Sequence, residues 1–212
     1  MKKDLLIYGG GGLGREVLSM LRQSENWNPL AIIDDRIPKD TVVKGIKVIG
    51  GMEVIKNLSG PFNLVLAIGS PTEKQRLAST LARYSGIVFP RLIHPSAILQ
   101  DEESIQVGAG TIITAGCILT LDIILGDHVL INLNTTIGHN TSIGNYSSIM
   151  PGVNFAGGVT IGESVLIGSG ANVLNGICIG DHSKVGSGAV VTKNILAGTT
   201  AMGVPARIKQ AP

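Results

Sequence analysis

His139 and Asn140 stand together in TTIGHNTSIG, a run whose other positions are mostly small or β-branched. Imidazole is the side chain that exchanges protons near neutral pH, so His139 is a candidate general base toward an attacking amine or hydroxyl. Cys117 and Cys178 lie among Ile, Leu and Gly without metal-ligand spacing, and they read as buried small hydrophobes. A second cluster opens the chain. In YGGGGLG, Gly9, Gly11 and Gly14 satisfy G-x-G-x-x-G between an apolar run and an amphipathic one, and Asp34 and Asp35 follow about twenty residues later. Backbone N–H groups at a helix N-terminus suit a phosphate, and a strand-end carboxylate suits a hydroxyl, amine or base N–H. The pattern is easily matched in a glycine-rich run. It points to a nucleotide or nucleotide sugar, with an NAD-type cofactor and a purely structural turn as alternatives.

The elements that must position His139 emerge from its period. The chain combines 29 glycines with 44% hydrophobic residues, a mixture that invites a search for repeats. Stepping by six from Val107 meets a large apolar residue every time to Val191, with glycine following at 108, 126, 138, 144, 162, 168, 180 and 186. Fifteen hexapeptides hold this register from Val107 to Leu196. Two inward positions per six residues, with a glycine free to take positive φ, describe a short strand plus a corner. Three such units close an 18-residue triangular coil, and five coils stack at about 4.8 Å. His139 then occupies a corner column with Leu121, Gly157, Asn175 and Lys193. The glycine beside it leaves room for a ligand. His128 and His182 share another column with Gly110, Tyr146 and Ser164, and read as ordinary surface corners.

The first ninety residues read differently. LLIYGG, LAIIDD and FNLVLAIGS are predicted strands; GREVLSMLRQS and TEKQRLASTLARY are predicted helices. They make a small βαβ domain whose parallel sheet presents ligands at its strand carboxyl ends, at Gly9 to Gly14, Asp34 with Asp35, and Gly69 with Ser70. The expected domains are 1–94 and 95–212. A formal charge of +2 and 3% aromatic residues argue against nucleic acid. No segment approaches the ~20 apolar residues of a membrane span, and Asp4 interrupts the N-terminal apolar run, so a cytoplasmic protein is expected.

Taken together, YGGGGLGREV, IIDD, AIGS, LIHPSAI, INLNTTIGHN, IMPGVNFAGGVTIGESVLIGSGANV and AMGVPAR resemble the hexapeptide-repeat sugar acetyltransferases. That family comprises bacterial sialic acid O-acetyltransferases and nucleotide-amino-sugar N-acetyltransferases. The resemblance spans nearly the whole chain. It implies a Rossmann-like N-terminal domain, then a left-handed parallel β-helix forming trimers with acetyl-CoA between neighbours. The hand comes from the resemblance alone, since the usual crossover rule favours a right-handed coil. By resemblance, Gly11, Gly12, Leu13, Asp34, Asp35 and Ser70 line the sugar-nucleotide site. Ser148, Gly157, Ser169 and Ser187 fall where the family contacts acetyl-CoA, and His139 falls on the catalytic base. Two positions depart from the family. Leu13 stands where a histidine often follows the glycine turn, and Asn140 stands where Glu or Asp commonly follows the catalytic histidine.

The expected function is acetyl transfer from acetyl-CoA to a sugar, in the first instance the amine of a nucleotide-linked amino sugar. His139 acts as base and the Gly157 N–H as oxyanion donor. O-acetylation of a sugar, a sialic acid or serine differs only in acceptor. A non-catalytic β-helix or a metal protein resembling γ-carbonic anhydrases are the rivals from other classes. The metal version needs three convergent imidazoles, and His139 is alone in its column.

Overall fold

The computed structural model describes residues 2–58 and 60–209, and the chain divides into two compact units. The first takes in the chain up to Gly69 and from Glu73 to Pro90. Its elements are β1 (Lys3–Tyr8), α1 (Gly12–Leu21), β2 (Trp27–Ile33), β3 (Val42–Val43), β4 (Ile46–Gly50), a 3-10 turn (Met52–Asn57), β5 (Phe62–Leu66), α2 (Pro71–Leu81) and β6 (Ile87–Val88). The strand order is β3-β4-β2-β1-β5-β6, with β1 paired in parallel to β2 and β5. Leu5, Leu6, Ile7 and Tyr8 are all buried, as an interior strand of a parallel sheet requires. Helix α1 buries Gly14, Val17, Leu18 and Leu21, one face at i, i+3, i+4 and i+7. A Cβ on Gly14 would strike the Gly9 carbonyl, so this glycine is needed for the helix to sit against the loop. The sheet is not wholly parallel. β3 runs antiparallel to β4 through a turn with positive φ at Lys44 (50°) and Gly45 (84°), the conformation of a tight hairpin.

The second unit holds Ser70–Thr72 and the chain from Arg91 onward, so its coil begins a few residues before the expected boundary at 94/95. It is a left-handed parallel β-helix. Sheet one runs from Leu92–Ile93 to Thr200–Met202, with Arg207–Ile208 added antiparallel. Sheet two runs from Ile98–Leu99 to Val190–Val191, and sheet three from Ile105–Val107 to Cys178–Ile179. Ile131, Ile137, Ile143, Ile149, Phe155 and Ile161 are buried inside the prism, and so are Thr135, Thr141, Ser147, Val153 and Val159 four residues after the apolar positions. The two-inward-per-six reading therefore holds.

Three expectations need correction. Positive φ does not fall on the glycine that follows the apolar residue. It falls two residues later, at Gly110, His128, Asn134, Asn140, Tyr146, Gly158, Ser164 and His182 among others. The earlier glycines serve another purpose: a Cβ on Gly138 would lie 2.7 Å from the Ala156 carbonyl carbon and 2.8 Å from the Gly157 nitrogen of the next coil. Register also changes at both ends. Leu92 pairs with Ile112 and Leu99 with Leu119, twenty residues on, through an extra loop at 100–104. At the far end Ile179 bridges Ile195 and Val185 pairs with Ala201, sixteen residues on, so the hexapeptide from Val191 to Leu196 falls out of step. Finally, Cys117 is buried but Cys178 is exposed, because it holds the outward position of its strand. Burial raises the Cys117 thiol above its usual pKa.

Candidate functional site

Each unit carries its own cluster. In the first, the carboxyl end of β1 runs into Gly9 (φ 106°) and then the N-terminus of α1, capped by Gly11. A Cβ built on Gly11 or Gly12 meets nothing within 4 Å, so the N–H end of this helix is open to a ligand. Leu13 is half-buried in its first turn.

Asp34 is already engaged by the chain. Its Oδ2 accepts from the Gly10 N–H at 2.7 Å, and its Oδ1 accepts from Arg36 and Ile37 N–H at 2.8 and 2.9 Å. Partial burial works to raise its pKa, but these three donors outweigh it and hold the carboxyl below its usual range. Asp34 thus clamps the glycine loop to the end of β2. Asp35 is exposed; its Oδ2 accepts from the Tyr8 hydroxyl at 2.5 Å and its Oδ1 from the Met52 N–H at 2.8 Å. Burial, then this bond to Asp35, raises the Tyr8 phenol well above its usual pKa.

Beside the two acids lies a cavity of about 280 Å³, lined among others by Arg36, Lys39, Gly51 and Glu53. Sequence reasoning missed these residues: Arg36 and Lys39 lie in the loop after β2, Gly51 and Glu53 at the end of β4 and in the 3-10 turn, and none belongs to a motif. Cβ atoms on Gly50 and Gly51 would meet the Glu53 carboxylate, and the latter also Asp35, so both glycines keep this wall close. Ser70 is exposed, immediately before α2, and is grouped with the second unit.

In the second unit, His139 sits at the corner between sheets two and three, exposed, between strands Thr136–Ile137 and Ser142–Ile143. Its Nδ1 is 2.8 Å from Asn140 Oδ1. Gly157 lies over the opposite edge of the ring: a Cβ there would be 2.5 Å from both Cε1 and Nε2. Glycine at 157 therefore leaves the space beside Nε2 open. The Gly157 N–H has no acceptor among the described residues. The corresponding N–H groups at the corner between sheets three and one are covered, Ala109 by Asp127, Asp127 by Asn145 and Glu163 by Asp181, at 2.7–2.8 Å.

Ser169 and Ser187 are exposed and one coil apart at the corner between sheets one and two, across sheet two from His139. Ser148 is not with them: it is fully buried on a strand of sheet one, where its hydroxyl offers a cofactor no surface. His128 also departs from expectation. It is 6% exposed and stacks on Tyr146 with ring centroids 5.7 Å apart, a packed column in place of a surface corner. Among the described residues no three His, Cys, Asp or Glu come together as a metal site, and no helix is long and apolar enough to cross a membrane.

Residues 4–81 match the model of the PglD N-terminal domain, and residues 158–193 match that of the bacterial transferase hexapeptide (six repeats). No curated protein matches the chain. Among solved structures, a variant of perosamine N-acetyltransferase from Caulobacter crescentus, in complex with CoA and GDP-perosamine, is 31% identical, covers 98% of this chain and 97% of its own, and superposes with a TM-score of 0.89. The acetyltransferase domain of PglB from Neisseria gonorrhoeae is 28% identical over 98% of this chain and 100% of its own, with a TM-score of 0.91. WeeI from Acinetobacter baumannii is 29% identical over 98% and 100%, with a TM-score of 0.87.

Proposed function

The chain belongs to the hexapeptide-repeat sugar acetyltransferases, the family of sialic acid O-acetyltransferases and nucleotide-amino-sugar N-acetyltransferases, and on that premise we propose that it acetylates the amine of a nucleotide-linked amino sugar. It is an acyltransferase with acetyl-CoA as co-substrate and a sugar as acceptor. The N-acetyl assignment draws support from the perosamine N-acetyltransferase, which holds CoA and GDP-perosamine. The nucleotide is bound by the first unit, at the open N-terminus of α1 and the cavity beside Asp35; Asp34 shapes that loop.

In the transfer, the amine nitrogen attacks the thioester carbonyl carbon while His139 Nε2 takes the amine proton. The Gly157 N–H donates to the oxyanion as it forms. When the C–S bond breaks, the imidazolium returns the proton to the leaving sulfur, giving CoA and the acetamido sugar. Ser169 and Ser187 flank sheet two on the side opposite His139, where a long cofactor could lie along the coil. The observation that carries this reading is the Gly157 backbone over the His139 Nε2 edge, with its N–H uncommitted among the described residues. The active form is a homotrimer. Exposed Leu121, Leu133 and Leu174 at the coil corners support an interface between copies, which light scattering of the active protein would test.

The experiment for the reaction is His139→Ala, assayed by thiol release from acetyl-CoA with a panel of nucleotide-linked amino sugars that includes GDP-perosamine. Turnover should fall by about 10²–10⁴-fold while acetyl-CoA binding persists. A folded His139→Ala protein with wild-type turnover would remove His139 as the base.

A further inference from the structure

We infer that Asn140 is a positioning residue, one that fixes which nitrogen of His139 carries the proton while adding no charge beside it. The inference rests on His139 being the base, as proposed above. Asn140 Oδ1 lies 2.8 Å from His139 Nδ1. An amide oxygen only accepts, so Nδ1 must donate, and a neutral imidazole then has its lone pair on Nε2. Nε2 is on the edge that faces Gly157. When Nε2 takes a proton from the acceptor, the Nδ1–H bond to Asn140 is unchanged, so one contact serves both the base and its conjugate acid.

The backbone explains why this amide can be so exact a prop. Asn140 has φ 57°, and its N–H is tied to the Leu121 carbonyl at 3.2 Å. The same slot is Gly110, Gly116, Gly152 and Gly158 in other hexapeptides, all with positive φ. Asparagine tolerates this region, but glycine suits it better. The chain conformation therefore does not call for Asn140; the side chain is what asparagine adds. A carboxylate in its place would hold the same tautomer and would also favour imidazolium. Asparagine separates the two effects. The same slot holds Asp122 one coil earlier and Gly158 one coil later, and Lys193 lies two coils beyond Gly157. These neighbours stay constant across the variants below.

The test compares Asn140→Gly and Asn140→Asp. Asn140→Gly preserves the backbone and removes the prop, so an unrestrained ring populates the Nε2–H form, which cannot accept at Nε2. Turnover should fall roughly 10–100-fold, the range for losing a group that orients an imidazole, with unchanged Tm and acetyl-CoA KM. Nitrogen-15 NMR of the ligand-free protein with the imidazole neutral should show Nδ1–H in the wild type and a mixture in Asn140→Gly. Asn140→Asp should restore both the Nδ1–H signal and turnover, and move the acidic limb of the pH–rate profile to higher pH. A wild-type Nε2–H signal, or wild-type turnover in Asn140→Gly, overturns the inference. Because the NMR readout needs no acceptor, an Nδ1–H signal alongside full activity of His139→Ala would bring down the base assignment and not the tautomer lock.

Discussion

Gly157→Ala is the sharpest perturbation available at the site, because a single methyl group would enter the space beside Nε2 of His139. Its carbon would lie 2.5 Å from Cε1 and Nε2 and 3.0 Å from Cδ2. Carbon contacts settle near 3.5–4.0 Å, so the overlap is about 1 Å. Gly157 is outside the left-handed region, so the chain accepts alanine there, and the exposed ring can swing away at the expense of its bond to Asn140. Stability should change by no more than about 0.5 kcal/mol, as for an ordinary surface substitution. Catalysis should not be so forgiving. Proton transfer needs Nε2 within about 2.6–3.2 Å of the acceptor, and a ring displaced by about 1 Å or more loses that approach. Turnover should fall toward the 10²–10⁴-fold of base removal, about 2.7–5.4 kcal/mol at 1.36 kcal/mol per decade. Alanine keeps the N–H, so the proposed oxyanion donor remains.

The control is Gly138→Ala, one residue before His139. There the methyl group would meet Ala156 and Gly157 backbone at 2.7–2.8 Å, which cannot yield as a side chain does. It should cost about 1–3 kcal/mol in stability, the range for overpacking. Steady-state thiol release and thermal unfolding, run on both variants, separate the two effects. A Gly157→Ala enzyme that is folded and fully active would refute the placement of the working nitrogen.

Asp34→Ala should lower Tm and raise the acceptor KM well above any change in acetyl-CoA KM, because the Gly10 N–H of the glycine loop and the Arg36 and Ile37 N–H groups after β2 lose their acceptor, at about 1–3 kcal/mol. Since the Asp34 pKa is depressed on folding, its contribution is present above the unfolded value and lost as pH falls through the folded one; acid titration of wild type against Asp34→Ala should show that difference vanish at low pH. Lys74 is 2% exposed and burial pushes its ammonium down to about 7, so the unfolded chain binds more protons above that pH and stability should rise between about pH 7 and 10. Denaturant melts of Lys74→Met should show a flatter rise across that window.

The prism was legible because every sixth residue had to be apolar to fill it, and no other architecture needs that period. Its corners were less so. Glycine appears at two positions for two reasons, backbone contact with the next coil at Gly138 and left-handed φ at Gly158, and a sequence shows the residue without the reason. His139 could be found because its column neighbour Gly157 follows at a fixed eighteen residues. Asp34 could be found but not understood, since its partners are backbone N–H groups that no side chain announces. Ser148 shows the complementary limit. The period puts it outward, yet it is fully buried, and periodicity says nothing of what covers an outward face. The hairpin at Lys44–Gly45 and the cavity wall at Gly50 to Glu53 lie in a stretch too short to carry a period.

The coil lengths have a bearing on how such a chain can change over time. Pairing partners are twenty residues apart at the beginning, eighteen through the middle and sixteen at the end. All are even. Successive residues of a strand face opposite ways, so adding or removing two residues leaves the inside of the prism inside, whereas one residue would turn the following strand over and put its Ile and Val in water. Drift in this half of the molecule is therefore quantised in pairs. A lineage comparison or a deletion library should find survivors that have gained or lost two residues at a corner far more readily than one.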